Sequence, residues 1–284
     1  MARADYSRIK VEPVSGALGA EISGVNLAAL DDETFEEIER AWLAHQVIFF
    51  REQRITPADQ AAFAERFGEL DTYPFIAPLE GHPHVIPIIK EKDTQINFGG
   101  GWHSDMSYQE KPVKATCLYA IEVPKGGGDT LFASMTAAYD ALSHGMRDLL
   151  DGVRGVFTAA KVHGAAGLYK DADHPMDMTR NEEKEEARHL HPIVRTHPET
   201  GRKALYLDLP HVERLENMRV PESQPLMEFL YNHATQLQFT TRFRWRPGSL
   251  TIWDNRCVQH YALNDDAGQR REMNRITVKG DVPY

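Results

Sequence analysis

The stretch GGGWHSDMSY, residues 99–108, sets three glycines ahead of a tryptophan, a histidine and, one residue further, an aspartate. Side chains alternate faces along an extended segment, so His103 and Asp105 point the same way. A neutral imidazole and a carboxylate on one side of a chain can hold a metal ion, which then needs at least one more ligand. The pattern alone is weak. The chain has 13 histidines, and a histidine two residues before an acid recurs at His197 with Glu199 and at His211 with Glu213. His197 belongs to a turn sequence and is expected to be solvated. His211 lies in LPHVERLE, without the aromatic and glycine context of His103. Taken alone, His103 reads equally well as a hydrogen-bonded histidine of the core or surface.

The second half of the chain changes that balance. LTIWDNRCVQHYALNDDAGQRREMNRITVKGD, residues 250–281, carries His260 and then Arg270, Arg271 and Arg275. Two histidines and one carboxylate form the facial triad of mononuclear non-haem Fe(II) oxygenases, which leaves coordination positions open. A chelating 2-oxo acid and dioxygen can fill them. The far carboxylate of such an acid calls for a cation, and an arginine fork fits it bidentately. Each residue also has an ordinary reading. Thr130 suits any strand, Arg271 could be a solvated charge beside Arg270, and Arg275 could form an ion pair at a strand start. Trp102 and Trp253 read as core.

The elements that position these residues are mostly strands. Alternating residues between glycines in 9–27 read as short strands joined by turns. Residues 31–46 read as a helix with acids in its first turn and an apolar stripe of Phe35, Ile38, Trp42 and Leu43. VIFF (47–50) reads as a buried strand. Thr56 and Pro57 open a second helix, with Gly68 at its end. Beyond residue 70, strand-like segments dominate: HVIPIIK, ATCLYAIEV, DTLFAS, ALYLD, FTTRFRW, SLTIWDN and RITVKGD. A helix pair is expected over 135–153, a further helix over 223–237, and a hairpin turn near 198–201. The polar stretch 159–188 reads as a long loop or lid. Many short strands with added helices suggest a β-sandwich or jelly roll. No composition break divides the chain, so residues 1–284 read as one domain.

Bulk composition narrows the function. The net charge of −10 over 284 residues argues against a general binder of nucleic acid or anionic membrane. It leaves a small anionic substrate open, because a few local arginines override the global field. The two cysteines, Cys117 and Cys257, form no disulfide framework, and a reducing cytoplasm is the simpler reading. MARADYSRIK lacks the apolar core of a signal peptide, and no apolar run approaches the ~20 residues that span a bilayer.

The sequence resembles the taurine dioxygenase and 2,4-dichlorophenoxyacetate dioxygenase family of 2-oxoglutarate-dependent enzymes. The likeness runs through GALGAEISGVNL, RFGEL, GWHSD, GGDTLFAS, HPIVRTHPETGRKALYL and WDNRCVQHYA to RR and NRITVKGD, in that order. It implies a mainly β double-stranded β-helix, a distorted jelly roll, with added helices. It implies Fe(II) held by His103, Asp105 and His260, with 2-oxoglutarate and dioxygen as co-substrates. Arg271 matches the arginine that binds the distal carboxylate of 2-oxoglutarate, and Thr130 the threonine beside it. Arg275 matches an arginine that in several members meets the anionic group of the prime substrate. The activity implied is C–H hydroxylation with release of succinate and CO2, followed by fragmentation where the oxidised carbon carries an ether, sulfate ester or sulfonate. Members are commonly dimers or tetramers, so a homo-oligomer is expected.

The chain departs from the taurine-type pattern at the substrate positions. A histidine and a tyrosine give way to Tyr73 and Ile76 in DTYPFIAP, and an asparagine to Gly99. With Phe75, these residues imply a less polar pocket, suited to a small anion with an apolar or aromatic body, of the sulfonate, alkyl sulfate ester or aryloxyalkanoate type. The alternatives are desaturation or epoxidation on the same scaffold, a jelly-roll binding protein without turnover, and a zinc hydrolase. Halogenation is disfavoured because Asp105 occupies the position a halide would need. A zinc hydrolase has no use for Arg271 and Thr130.

Overall fold

The computed structural model describes residues 6–95, 97–169 and 181–284. The first third holds strands β1 (Lys10–Pro13), β2 (Ala20–Ser23) and β3 (Val47–Phe50), with helices α1 (Asp32–His45) and α2 (Pro57–Glu65). Strands β4 (Ile86–Lys90), β5 (Ala115–Glu122) and β6 (Thr130–Ser134) follow, then α3 (Met135–Asp140), α4 (His144–Leu150), β7 (Arg154–Phe157), α5 (Ala160–His163) and α6 (Glu182–Glu186). The remainder comprises β8 (His189–Pro192), β9 (Val194–Thr196), β10 (Lys203–Leu205), β11 (Val212–Leu215), α7 (Val220–Ala234), β12 (Thr240–Phe243), β13 (Leu250–Asp254), β14 (Val258–Ala262) and β15 (Arg271–Val278).

A major sheet in the order β1-β2-β3-β13-β5-β15-β4 faces a minor sheet in the order β12-β6-β14. Together they form a distorted jelly roll with open edges. All the pairings are antiparallel except β2 with β3. Two small sheets, β11-β7-β8 and β10-β9, complete the set.

The unbroken apolar run of β3 has a simple cause: both faces of the major sheet are covered. Val47 and Phe49 turn toward the minor sheet, where Phe49 lies 5.7 Å from Phe132 and stacks on Phe243 at 4.2 Å. Ile48 and Phe50 turn toward α1 and α2, and Phe50 meets Phe63 edge-on at 5.7 Å. Burying side chains of this size contributes about 1.5–3 kcal/mol each. The helices that cover this face start where the sequence signals them. Asp31 caps α1 through the Thr34 amide at 2.8 Å. Thr56 and Asp59 close a reciprocal capping box on α2, with Pro57 in the first turn. Phe35, Ile38 and Trp42 are buried on α1, while Leu43 packs half-buried at its margin.

Several elements differ from expectation. Strands β7, β8, β11 and β14 were not anticipated, because each is short and interrupted by polar or charged residues. The later helix begins at Val220, ahead of the expected start, because Arg219 and Glu222 close its N-terminus and Pro221 suits the first turn. The expected hairpin is β9–β10, and Gly201 takes φ +67° in its turn. The segment expected as a lid, 159–188, is described at its two ends, which form α5 and α6. Its middle lies outside the described residues. Cys117 and Cys257 are free and buried. Among the described residues, no helix is long and apolar enough to cross a membrane.

Candidate active site

His103 precedes β5 in a glycine-rich turn, and His260 sits in the middle of β14. An isolated antiparallel bridge joins them: the His103 amide donates to the His260 carbonyl at 3.1 Å, and the His260 amide returns the bond at 2.9 Å. Their rings stand 4.2 Å apart. Asp105 completes the group, with Oδ1 3.8 Å from His103 Nε2 and Oδ2 3.9 Å from His260 Nε2. One ligand atom from each residue lies within 4.8 Å of the others.

The electrostatics suit a cation. The His103 Nδ1–H donates to the Gly101 carbonyl at 2.8 Å, which leaves the Nε2 lone pair free. Burial lowers the pKa of His103, and burial with the neighbouring His103 pushes that of His260 down to about 3, so both rings are neutral at pH 7. Burial alone would raise Asp105. The Arg275 cation, the two histidines and a Thr116 hydrogen bond outweigh it and hold the carboxyl well below the usual carboxylate range. Two neutral imidazoles and an ionised carboxylate are the protonation states that metal binding requires.

Two adjoining cavities share His103, Asp105, Phe98 and Gly99. The inner one lies between the sheets, lined by Thr130, Trp253, His260, Arg271 and Arg275. Arg271 opens β15 and is buried, and its Nε finds no hydrogen-bond partner among the described residues. Burial brings its pKa down to about 10 against the pull of Asp266 and Asp129, which still leaves it a cation at neutral pH. Arg270, its neighbour, faces outward onto Glu91, Glu122 and Glu272. Thr130 Oγ1 accepts the Trp245 indole N–H at 2.9 Å, so its own hydroxyl proton is free to donate. A buried cation and a free hydroxyl donor lining the same cavity fit a carboxylate.

Arg275 lies inside β15, not at a strand start. It pairs with Asp105 Oδ1 at 2.8 Å, sits 5.0 Å from the Tyr73 ring centroid, and leaves Nη1 without a partner among the described residues. Tyr73 and Gly99 line the outer cavity. Gly99 takes φ +78°, and a Cβ there would lie 3.2 Å from the His103 ring, so glycine alone fits without displacement. Phe75 stands behind the cavity wall, stacked on His163 at 4.1 Å. Ile76 packs into the main core and lines neither cavity.

Sequence reasoning missed Tyr108 and His163 and set His211 aside as a ligand, and the three form much of the outer wall. Tyr108 closes the GGGWHSDMSY stretch and could have been noticed there. His211 is oriented by Asp208, at 2.8 Å from its Nδ1. His197, expected in solvent, is buried with Nε2 2.9 Å from Asp254. Trp102 and Trp253 are core residues as expected, although Trp253 also reaches the inner cavity and lies 4.6 Å from the His260 ring.

A sequence profile of the taurine catabolism dioxygenase TauD, TfdA family matches residues 10–277. The chain belongs to this family. TauD/TfdA membership makes it an Fe(II)- and 2-oxoglutarate-dependent dioxygenase. It is 36% identical over 280 residues to an alpha-ketoglutarate-dependent sulfate ester dioxygenase of Pseudomonas putida, covering 97% of this chain and 91% of that protein. A taurine dioxygenase structure from Burkholderia xenovorans superposes with a TM-score of 0.82 at 35% identity, covering 98% of this chain and 93% of that one. The crystal structure of AAD-2 in complex with Mn(II) and N-oxalylglycine superposes with a TM-score of 0.79 at 30% identity, covering 97% and 98%.

Proposed function

We propose that this TauD/TfdA member hydroxylates a C–H bond of a small organic anion with an apolar or aromatic body, of the sulfate ester, sulfonate or aryloxyalkanoate type. His103, Asp105 and His260 would hold the iron, and Arg271 with Thr130 would anchor the distal carboxylate of 2-oxoglutarate. When bound, the metal and 2-oxoglutarate supply the means to insert one atom of dioxygen into a C–H bond, with succinate and CO2 as co-products.

The chain's own residues bind, orient and exclude water. Arg275 receives the substrate's anionic end. Tyr73, Tyr108 and His163 surround its body with ring faces, and Gly99 keeps the wall beside His103 flat. The aromatic lining keeps the reacting carbon in a dry space. The chain acts as one domain, since residues from β4, β5, β6, β13, β14 and β15 line the inner cavity together.

The observation that carries this reading is the His103–Asp105–His260 cluster, which lines a cavity together with the buried Arg271 cation. The test is 2-oxoglutarate-dependent succinate release across anionic candidates, their neutral amides or esters, and taurine. Anions with apolar bodies should be turned over best. Arg275→Ala should raise their KM while leaving the affinity for 2-oxoglutarate nearly unchanged at saturating metal, a condition needed because Arg275 also pairs with Asp105. Equal turnover of neutral and anionic analogues would refute the role of Arg275, and taurine as the best substrate would refute the apolar pocket.

A further inference from the structure

Of the three proposed ligands, Asp105 is the one with two equivalent donor atoms, and its carboxylate plane can turn about the last side-chain bond. The interior around it opposes that turn. Thr116 on β5 has Oγ1 2.7 Å from Asp105 Oδ2. Asn255, just past β13, has Nδ2 2.9 Å from that same Thr116 oxygen. Its Oδ1 accepts two bonds, from the Asp105 amide at 3.1 Å and from the Trp253 indole at 3.0 Å.

The proton directions follow from this arrangement. Two N–H donors converge on one atom of the Asn255 amide, so that atom is its oxygen, and the atom facing Thr116 is its NH2 group. Thr116 therefore accepts from Asn255, and its single hydroxyl proton is left for Asp105. The order of donation is Asn255 to Thr116 to Asp105. Thr116 and Asn255 are buried to within 1% exposure, and Asp105 is 7% exposed. A rotated Thr116 hydroxyl would leave the carboxylate oxygen short of a donor that solvent does not replace. Arg275 holds the other oxygen. Each carboxylate oxygen is thus tethered once, with Oδ1 3.8 Å from His103 Nε2 and Oδ2 3.9 Å from His260 Nε2.

We propose that Thr116 and Asn255 are positioning residues that fix the plane of Asp105 for metal binding. This rests on the reading of Asp105 as a ligand. The bonds run between β5, the end of β13 and the turn after His103, so the relay ties the ligand turn to the centre of the major sheet. Its effect is on metal affinity and coordination geometry ahead of any reaction.

The test is anaerobic titration of the full-length protein with Co(II), without 2-oxoglutarate, read by its visible ligand-field absorption. Thr116→Val, nearly isosteric, should weaken Co(II) binding roughly 10–100-fold, the range typical of lost outer-shell partners. Thr116→Ser, which restores the hydroxyl, should bind close to wild type. Thr116→Ala serves as the second variant if valine prevents folding, and the thermal midpoint of the metal-free protein reports the fold separately. Asp105→Ala is the control for the ligand itself. If Asp105→Ala loses Co(II) while Thr116→Val and Thr116→Ala bind it as wild type does, the relay is overturned. If Asp105→Ala retains wild-type binding, the ligand reading beneath the relay falls instead.

Discussion

Asp105 and Asp254 are both buried carboxylates that meet a histidine and an arginine, and each belongs to a three-residue group close enough to hold a metal. Their partners differ. Around Asp254, Arg256 bonds both carboxylate oxygens and also reaches Glu199 at 3.0 and 3.2 Å. His197 Nε2–H donates to Asp254, while its Nδ1 accepts the amides of Glu199 and Thr200. Both nitrogens of that imidazole are in use, and a metal would have to break bonds the fold already makes. Around Asp105, the Nε2 atoms of two neutral histidines face the carboxylate at distances too long for hydrogen bonds. A satisfied cluster holds the fold together, whereas one left short of partners is available to a ligand.

Substitution at the two clusters should separate these roles. His103→Ala, Asp105→Ala or His260→Ala should abolish turnover and weaken Fe(II) binding, with the fold retained. Near-wild-type turnover in any of them would sink the comparison. At the other cluster, Arg256→Ala leaves Asp254 buried without its cation and should cost about 3–5 kcal/mol of stability. Urea unfolding measures this, and Fe(II) affinity of the folded fraction should not change. Arg271→Ala should weaken 2-oxoglutarate binding by about 2–5 kcal/mol, because the carboxylate then enters a buried pocket unpaired. Direct titration with 2-oxoglutarate reads that loss. Thr130→Val should cost less, about 1.5–3 kcal/mol for a hydrogen bond to a charged group. A larger effect than that of Arg271→Ala would reverse the two roles. The smallest effect is expected for Gly99→Ala. The left-handed backbone there costs a non-glycine residue about 1–2 kcal/mol, and the new methyl presses on the His103 ring. Thermal melting with and without metal should show a modest drop in both states.

The ligands were legible in the sequence for unequal reasons. His103 and Asp105 stand two residues apart in one short stretch, which was enough to pair them, but the structure brings them together through the His103 bridge and the turn after it and not through strand alternation. His260 needed the family likeness, because VQHYA mixes Gln and His into a strand and hides its period. Arg270 and Arg271 are indistinguishable by composition. Only the strand face separates the one paired with three glutamates from the one buried over the cavity. His197 sits in HPETG, a solvent-facing turn by sequence, and its burial depends on Asp254 from a distant strand. Ile76 was assigned to the pocket from its match to a substrate position, yet its side chain turns into the core. Tyr108, His163 and His211 come from separate segments, and no local pattern brings them to one wall. The core itself was easier to read, because VIFF and the α1 stripe carry their periodicity in adjacent residues.

The bridge between His103 and His260 also bears on how the centre opens. Each amide proton is locked in a bond to the other residue's carbonyl. Neither can be lost to solvent deuterium until the two segments part, and parting them carries the imidazoles out of reach of a common ion. Exchange at these two amides therefore acts as a clock on the opening of the site. It runs without substrate, oxygen or turnover, and metal binding should slow it by the factor with which the ion favours the closed state.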